Sequence, residues 1–173
     1  MIIFGHEEPQ ASHRHADVSA LPSESVVIKA RPHTIYDPVL VIECKRIPAP
    51  SEDREREYVT GTDPKKLSGG IQRFKLGQHG GQMDMAAMVA YVQEGIPHQW
   101  LQKVNDWILE LVDKPIGDGC PWSTDDILKE MQEYTSNDVA SYHSVHDRSG
   151  TVTSSRIELH HLWIMMHTSQ ASR

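Results

Sequence analysis

The apolar run of residues 39–46, VLVIECKR, ends in a carboxylate and an ammonium that are two residues apart. Side chains alternate across a β-strand, so Glu43 and Lys45 should lie on one face, roughly 7 Å apart along the backbone. A charge at the end of a buried strand is costly unless it is paired or bound to a metal. The pair is therefore suited to phosphodiester hydrolysis, in which the carboxylate holds a divalent cation and the ammonium offsets charge developing on phosphorus.

Such a site needs a second carboxylate, because one glutamate rarely holds a hard dication alone. Asp17 lies within a segment that alternates like a strand, where aspartate is disfavoured. Asp37 precedes Pro38 and is typical of a residue that caps a turn. We favour Asp17, since a neighbouring strand can bring its carboxylate beside Glu43. Asp37, which should lie at the opposite end of the Glu43 strand, stays the alternative.

Hydrophobic periodicity places these residues on a series of strands and helices. Residues 1–16 show little periodicity, residues 31–38 indicate a connection, and residues 51–66 indicate a charged loop or a frayed helix at the surface. The chain is predicted to be an α/β protein whose sheet has mixed pairing. Its strands are expected at 16–21, 26–30, 39–47, 85–92, 139–146 and 157–166, and its helices near 71–76, 97–113 and 124–134.

Composition limits the class of protein and its partners. A length of 173 residues with 38% hydrophobic residues is enough for one domain with its own core. The net charge of −7 argues against binding nucleic acid by bulk charge, although residues 45–75 carry eight basic and five acidic side chains. Two cysteines are too few for a disulfide scaffold, and no apolar run predicts a membrane span. A soluble protein of a reducing, cytoplasmic compartment is expected.

The pattern resembles the PD-(D/E)XK, or restriction-endonuclease-like, nuclease superfamily. The matching residues are Asp17 on one strand, Glu43-Cys44-Lys45 at the end of the next, and Gln72 on a following helix, within about residues 14–93. The acidic residue that the family often carries on an upstream helix would be Glu7 or Glu8. The resemblance implies a restriction-endonuclease-like mixed β-sheet flanked by helices, with residues 1–173 as one nuclease domain. Residues 1–13 are expected to be either disordered or the end of a truncated helix.

The resemblance also implies roles for individual residues. Asp17, Glu43 and the backbone carbonyl at Cys44 would bind Mg²⁺ or Mn²⁺, and Lys45 would orient the attacking water. Gln72 would touch the scissile phosphate or that water. DNA phosphates would be contacted by Arg46, Arg73 and Lys75. Cutting both strands of a duplex asks for two active sites, which favours a homodimer, and the chain is interpreted as the nuclease module of a larger bacterial protein.

Two other functions stay open on the sequence. One is a catalytically inactive relative that keeps the fold as a nucleic-acid-binding or scaffolding module. The other is a zinc hydrolase built on some of the eleven histidines, with His143 and His160 as a pair from two strands and His13 or His15 as further ligands.

Overall fold

The computed structural model describes residues 1–9, 15–132, 138–150 and 152–166. In this part of the chain, nine strands and two α-helices are joined by short connections and two 3-10 helices, at Glu52–Tyr58 and Thr124–Asp126. The strands are β1 (Ile2–Pro9), β2 (His15–Pro22), β3 (Val26–Ile28), β4 (Arg31–His33), β5 (Leu40–Ile47), β6 (Met85–Val92), β7 (Lys129–Gln132), β8 (Val139–Asp147) and β9 (Arg156–Met165). The helices are α1 (Gly70–Lys75) and α2 (Pro97–Asp113).

Seven of the strands form one mixed sheet, in the order β1-β2-β5-β6-β9-β8-β7. The strands β1, β2 and β5 pair antiparallel, β5, β6 and β9 pair parallel, and β8 and β7 return antiparallel. The expected α/β class with mixed pairing is therefore confirmed. The strand that carries Glu43 lies third from the β1 edge, between β2 and β6.

The two faces of the sheet differ in burial. Along β8 and β9, buried side chains alternate with side chains that are half-buried or exposed. The buried face shares one core with Ile71 and Phe74 of α1 and with the apolar stripe of α2, which includes Val104 and Ile108. Both helices therefore cover the same face. Within the described residues, no helix is long and apolar enough to cross a membrane.

The N-terminal segment departs from its sequence prediction. Residues 2–9 form β1, an edge strand paired along its length with β2, instead of a disordered segment or a helix remnant. Glu7 and Glu8 therefore lie on a strand, and residues 10–14, including His13, lie outside the described residues. The apolar residues of the segment, Ile2, Ile3 and Phe4, are consecutive and do not alternate with polar ones. Pairing between backbones needs no hydrophobic periodicity, so the sequence carried little signal for this strand.

Two further elements were missed for identifiable reasons. The predicted connection 31–38 begins with β4, which forms a hairpin with β3 through Lys29 and Ala30. Both turn residues have positive φ, at 48° and 62°, a conformation that sequence analysis expects of Asn-Gly rather than Lys-Ala. The helix predicted over residues 124–134 ends after one 3-10 turn and gives way to β7, which pairs with β8.

Candidate active site

Asp17 and Glu43 come from neighbouring strands. The β2–β5 ladder pairs Val18, one residue after Asp17, with Ile42, one residue before Glu43. The Oδ2 atom of Asp17 accepts a hydrogen bond of 2.7 Å from the backbone N–H of Cys44. The Asp17 carboxylate is therefore held beside the residue that follows Glu43, as the choice of Asp17 over Asp37 requires.

Asp37 has the turn role that its sequence context indicates. Its Oδ2 atom accepts hydrogen bonds from the backbone N–H and the hydroxyl of Thr34, at 2.8 and 2.7 Å. These bonds lower the pKa of Asp37, because they stabilise the ionised carboxylate.

Glu43 is an ionised carboxylate in the interior, only 2% exposed. Its Oε1 atom lies 2.8 Å from Lys45 Nζ and 2.9 Å from Arg73 Nη1. Burial raises the pKa of Glu43, but the contacts with His79 and Lys45 outweigh burial and lower it to about 2. The predicted Glu-Lys pair is thus formed, and Arg73 neutralises the same carboxylate instead of standing on the surface as a DNA contact.

His79 is a residue of this cluster that the sequence did not single out. Its ring is fully buried, with Nδ1 3.2 Å from Glu43 Oε2, but the two atoms are out of line for a hydrogen bond. Among the described residues, neither nitrogen of the ring nor Glu43 Oε2 has a hydrogen-bond partner. A histidine between Gln78 and Gly80 carries no periodic signal, so only its position in the fold indicates that it belongs here.

A surface pocket of about 450 Å³ lies next to these groups. Its lining includes Asp17, Cys44, Lys45 and Arg46, together with the rings of His6 and Tyr91. Lys45, 18% exposed, links this pocket to the buried Glu43. Four of the residues predicted from sequence therefore meet at one accessible place.

Gln72 and Lys75 do not have the roles predicted for them. Gln72 is fully buried; its Oε1 atom accepts from the backbone N–H groups of Gly69 and Gly61, at 2.9 and 3.3 Å, and its amide donates to Asp118. The Gln72 side chain therefore accepts hydrogen bonds from backbone N–H groups at the start of α1, where such groups have no partner within the helix. Lys75, 1% exposed, is paired with Asp126 at 2.6 Å, so it stabilises the interior and is withdrawn as a DNA contact.

The glycines before α1 explain how the helix reaches this position. A Cβ on Gly69 would collide with the backbone of Thr60, and one on Gly70 would collide with the end of the Met88 side chain. The close approach lets α1 lie against β5 and β6, with Arg73 directed at Glu43.

The oxygen atoms of this cluster are of the type that binds a hard dication. Asp17, Glu43 and the carbonyl of Cys44 offer oxygen, the ligand that Mg²⁺ and Mn²⁺ prefer. The Oε2 atom of Glu43, without a hydrogen-bond donor in the described chain, has acceptor capacity to spare. Over the described ranges, no group of three or more His, Cys, Asp or Glu side chains is placed to hold a metal ion. A cation here would rest on two carboxylates, the carbonyl and solvent.

The predicted histidine pair is brought together by the sheet. His143 and His160 are direct cross-strand partners, with ring centroids 5.8 Å apart, and Nε2 of each lies within 3.2 Å of Glu158 Oε1. They lie on the half-exposed face, and the side chains of His13 and His15 are outside the described set. Among the described side chains, no group of three or more His, Cys, Asp or Glu is placed to hold a metal ion here either, and the zinc hydrolase stays an alternative.

A second polar system runs through the core on the helix side of the sheet, and we call it the polar chain. Its members are at most 3% exposed and contact one another in the order Trp163, Tyr58, His161, Ser144, His146, Asp126 and Lys75. The successive distances lie between 2.6 and 2.9 Å.

One arrangement of protons satisfies the whole polar chain with both histidines neutral. Trp163 can only donate, so Tyr58 accepts from it and donates to His161 Nδ1. His161 Nε2–H then donates to Ser144, whose hydroxyl donates to His146 Nε2. His146 Nδ1–H ends the series at the Asp126 carboxylate. Burial lowers the pKa of both histidines, that of His161 well below its ordinary value, in agreement with the neutral forms.

Ser144, His146 and Asp126 have the order of a hydrolase triad, but the hydroxyl is in the wrong place for that chemistry. Ser144 is 2% exposed, lies within β8 and shares its oxygen between two imidazoles. A substrate carbonyl cannot reach a nucleophile buried under the helices. The polar chain is therefore a structural network of the core.

Protonation of the two histidines should make the fold acid-sensitive. In the unfolded chain they bind protons below about pH 6.5, whereas the folded protein keeps them neutral, so stability falls as the pH drops through this range. The free energy of unfolding should fall by up to about 1.4 kcal/mol per pH unit for each histidine. Urea unfolding between pH 5 and 7, above the range in which Glu43 titrates, measures this change of unfolding free energy with pH.

Matched variants identify the source of this pH dependence. His146→Asn keeps a hydrogen-bond donor near Asp126 but removes one titrating group. It should reduce the change of unfolding free energy with pH by the contribution of about one proton. His98→Gln changes an exposed imidazole on α2 and should leave the slope as it is. A wild-type stability that is constant from pH 5 to 7 would contradict the assignment.

Comparison with protein-family models, with curated proteins and with solved structures finds no match to this chain. The fold and the candidate site are therefore interpreted from their own chemistry.

Proposed function

We propose that the chain is a metal-dependent nuclease of the restriction-endonuclease-like fold that hydrolyses DNA phosphodiester bonds with Mg²⁺ or Mn²⁺. The observation that carries the proposal is the shared pocket. Asp17 and Lys45, from neighbouring strands, line it together with Arg46, and Lys45 is paired with an ionised Glu43 behind it. This combination of carboxylates and a cation suits hydrolysis of an anionic ester.

The order of elements adds support. In the sheet, β2 with Asp17 pairs antiparallel with β5, which carries Glu43 and Lys45. Along the chain, β5 is followed by α1, with Gln72 and Arg73, and then by β6, which pairs parallel with β5. This is the sequence of parts that the resemblance to PD-(D/E)XK nucleases implies. The mixed sheet agrees with this fold, although α1 and α2 both cover one of its faces.

Each residue then has a defined task. Asp17, Glu43 and the Cys44 carbonyl would hold the dication, which supplies a nucleophile at neutral pH and offsets charge on phosphorus. Lys45 orients the attacking water and stabilises the charge that develops on the phosphoryl oxygens. Arg46 binds a neighbouring phosphate. Arg73, 2.9 Å from Glu43 Oε1, holds that carboxylate in position.

Cleavage of supercoiled plasmid by the purified protein tests the proposal. We expect nicked and linear products with Mg²⁺ or Mn²⁺ and none with EDTA. Asp17→Asn should abolish the products, because it removes a charged ligand, whereas Asp37→Asn, at a turn outside the site, should keep them.

Three results would contradict this proposal. DNA binding without cleavage under any divalent cation would favour the inactive binding module. Loss of activity only with a zinc-selective chelator would favour the histidine-centred hydrolase. Activity lost in Asp37→Asn but kept in Asp17→Asn would move the second ligand to the other aspartate.

A further inference from the structure

The pocket beside the candidate site has aromatic walls that hydrolysis itself does not need. Tyr91 of β6 is 41% exposed, and the ring of His6 on β1 is exposed as well. Both rings line the pocket together with the cations of Lys45 and Arg46.

The strand register places His6, Arg46 and Tyr91 on one face of the sheet, opposite the helices, whereas Lys45 is on the helix face with Glu43 and reaches the pocket from there. His6 pairs with Val18, Val18 with Ile42, and Arg46 with Tyr91. Paired residues project to the same face, β1 is three strand intervals from β6, and the His6 level of the sheet is four residues from the Tyr91 level. The two rings therefore stand about 14 Å apart across the strands and about 13 Å apart along them. Half-buried Val18 and Cys44 lie between them as a weakly polar floor.

A nucleic acid strand can use such a surface only if its bases are available. Aromatic rings bind unpaired bases by stacking, in a way that tolerates any sequence, whereas duplex bases are already stacked within the helix. Stacking also supplies affinity without many phosphate contacts, which suits a chain whose net charge is −7.

We propose that the substrate of this nuclease is single-stranded DNA, with a base stacked on Tyr91 and the adjacent phosphate held by Arg46. The inference rests on the proposed function and names its substrate class; supercoiled plasmid is then cut where negative supercoiling exposes unpaired bases. Tyr91 sets the position of the strand, and the scissile phosphate then lies toward Lys45 and Asp17. His6 supplies a second ring for a base further along the nucleic acid strand.

Fluorescence anisotropy with a labelled oligonucleotide of about twelve nucleotides, in EDTA to prevent cleavage, tests the inference. The wild-type protein should bind the single strand at least about tenfold more tightly than the matching duplex. Tyr91→Ala should weaken single-strand binding about tenfold, and Tyr91→Phe, which keeps the ring, should restore it. Tyr36→Ala, at a tyrosine that is 82% exposed in the β4–β5 connection, should bind as the wild type does.

The outcomes separate this inference from the proposed function. Plasmid cleavage with Mg²⁺ together with equal or tighter duplex binding, or with unchanged binding by Tyr91→Ala, would overturn the single-strand assignment alone. A protein that neither binds nor cleaves any of these DNAs would overturn both.

Discussion

Replacing Lys45 with methionine is expected to lower the rate of Mg²⁺-dependent DNA cleavage by at least about a hundredfold. Methionine keeps most of the length of the side chain but removes the ammonium that would orient water and offset charge at phosphorus. Glu43 keeps its contact with Arg73 at 2.9 Å, so its carboxylate still has a cationic partner. Initial rates on plasmid, measured at saturating Mg²⁺, give the comparison.

The exposed Lys114 after α2 offers a matched control, because Lys114→Met removes the same charge away from the pocket. This variant should cleave at the wild-type rate. A Lys45→Met protein that unfolds at the wild-type denaturant concentration yet cleaves as fast as the wild type would remove Lys45 from the mechanism. Thermal unfolding of both variants separates a catalytic loss from a folding defect.

Replacing Asp126 with alanine is expected to reduce the free energy of unfolding by about 3–5 kcal/mol. The carboxylate is 1% exposed and lies within 2.7 Å of both Lys75 Nζ and His146 Nδ1. It also accepts the backbone N–H of Ser123 at 2.7 Å. Its removal leaves a buried ammonium without a counter-charge, and desolvation of such a charge is a large penalty. Urea unfolding at pH 7 measures the loss.

Asp125 in the same 3-10 turn is exposed, so Asp125→Ala should change the unfolding free energy by no more than about 0.5 kcal/mol. The double variant Lys75→Met with Asp126→Asn should recover part of the loss, because no unpaired charge remains in the core. Equal stability of Asp126→Ala and the wild type would show that Lys75 leaves the core at no cost.

The strands and helices that local periodicity defines were predicted closely. The expected strand at 85–92 is β6 and the expected helix at 97–113 is α2, because each element carries its own hydrophobic period. The strand predicted at 39–47 is β5, which is one residue shorter. The pairing of Glu43 with Lys45 follows from the alternation of side chains along this strand. The preference for Asp17 came from the pairing of neighbouring strands, and its role as a metal ligand stays a prediction.

Elements that depend on distant partners were predicted poorly. The edge strand β1 exists through its pairing with β2, and β7 through its pairing with β8. Asp126, which lies within the helix predicted near 124–134, is instead held by Lys75 and His146, and the chain beyond it continues as a strand. Such contacts join residues far apart in the chain, so no window of sequence contains them.

The sequence by itself thus determined the α/β class, the principal strands and helices and the Glu-x-Lys motif, since periodicity and spacing are properties of short segments. Only the tertiary structure decided which charges face a pocket and which are buried. It placed Arg46 beside Tyr91 at the surface, gave Arg73 to Glu43, and enclosed Lys75 with Asp126. The physical reason is that a lysine or arginine is stable in either place, and its location depends on whether folding supplies a counter-charge.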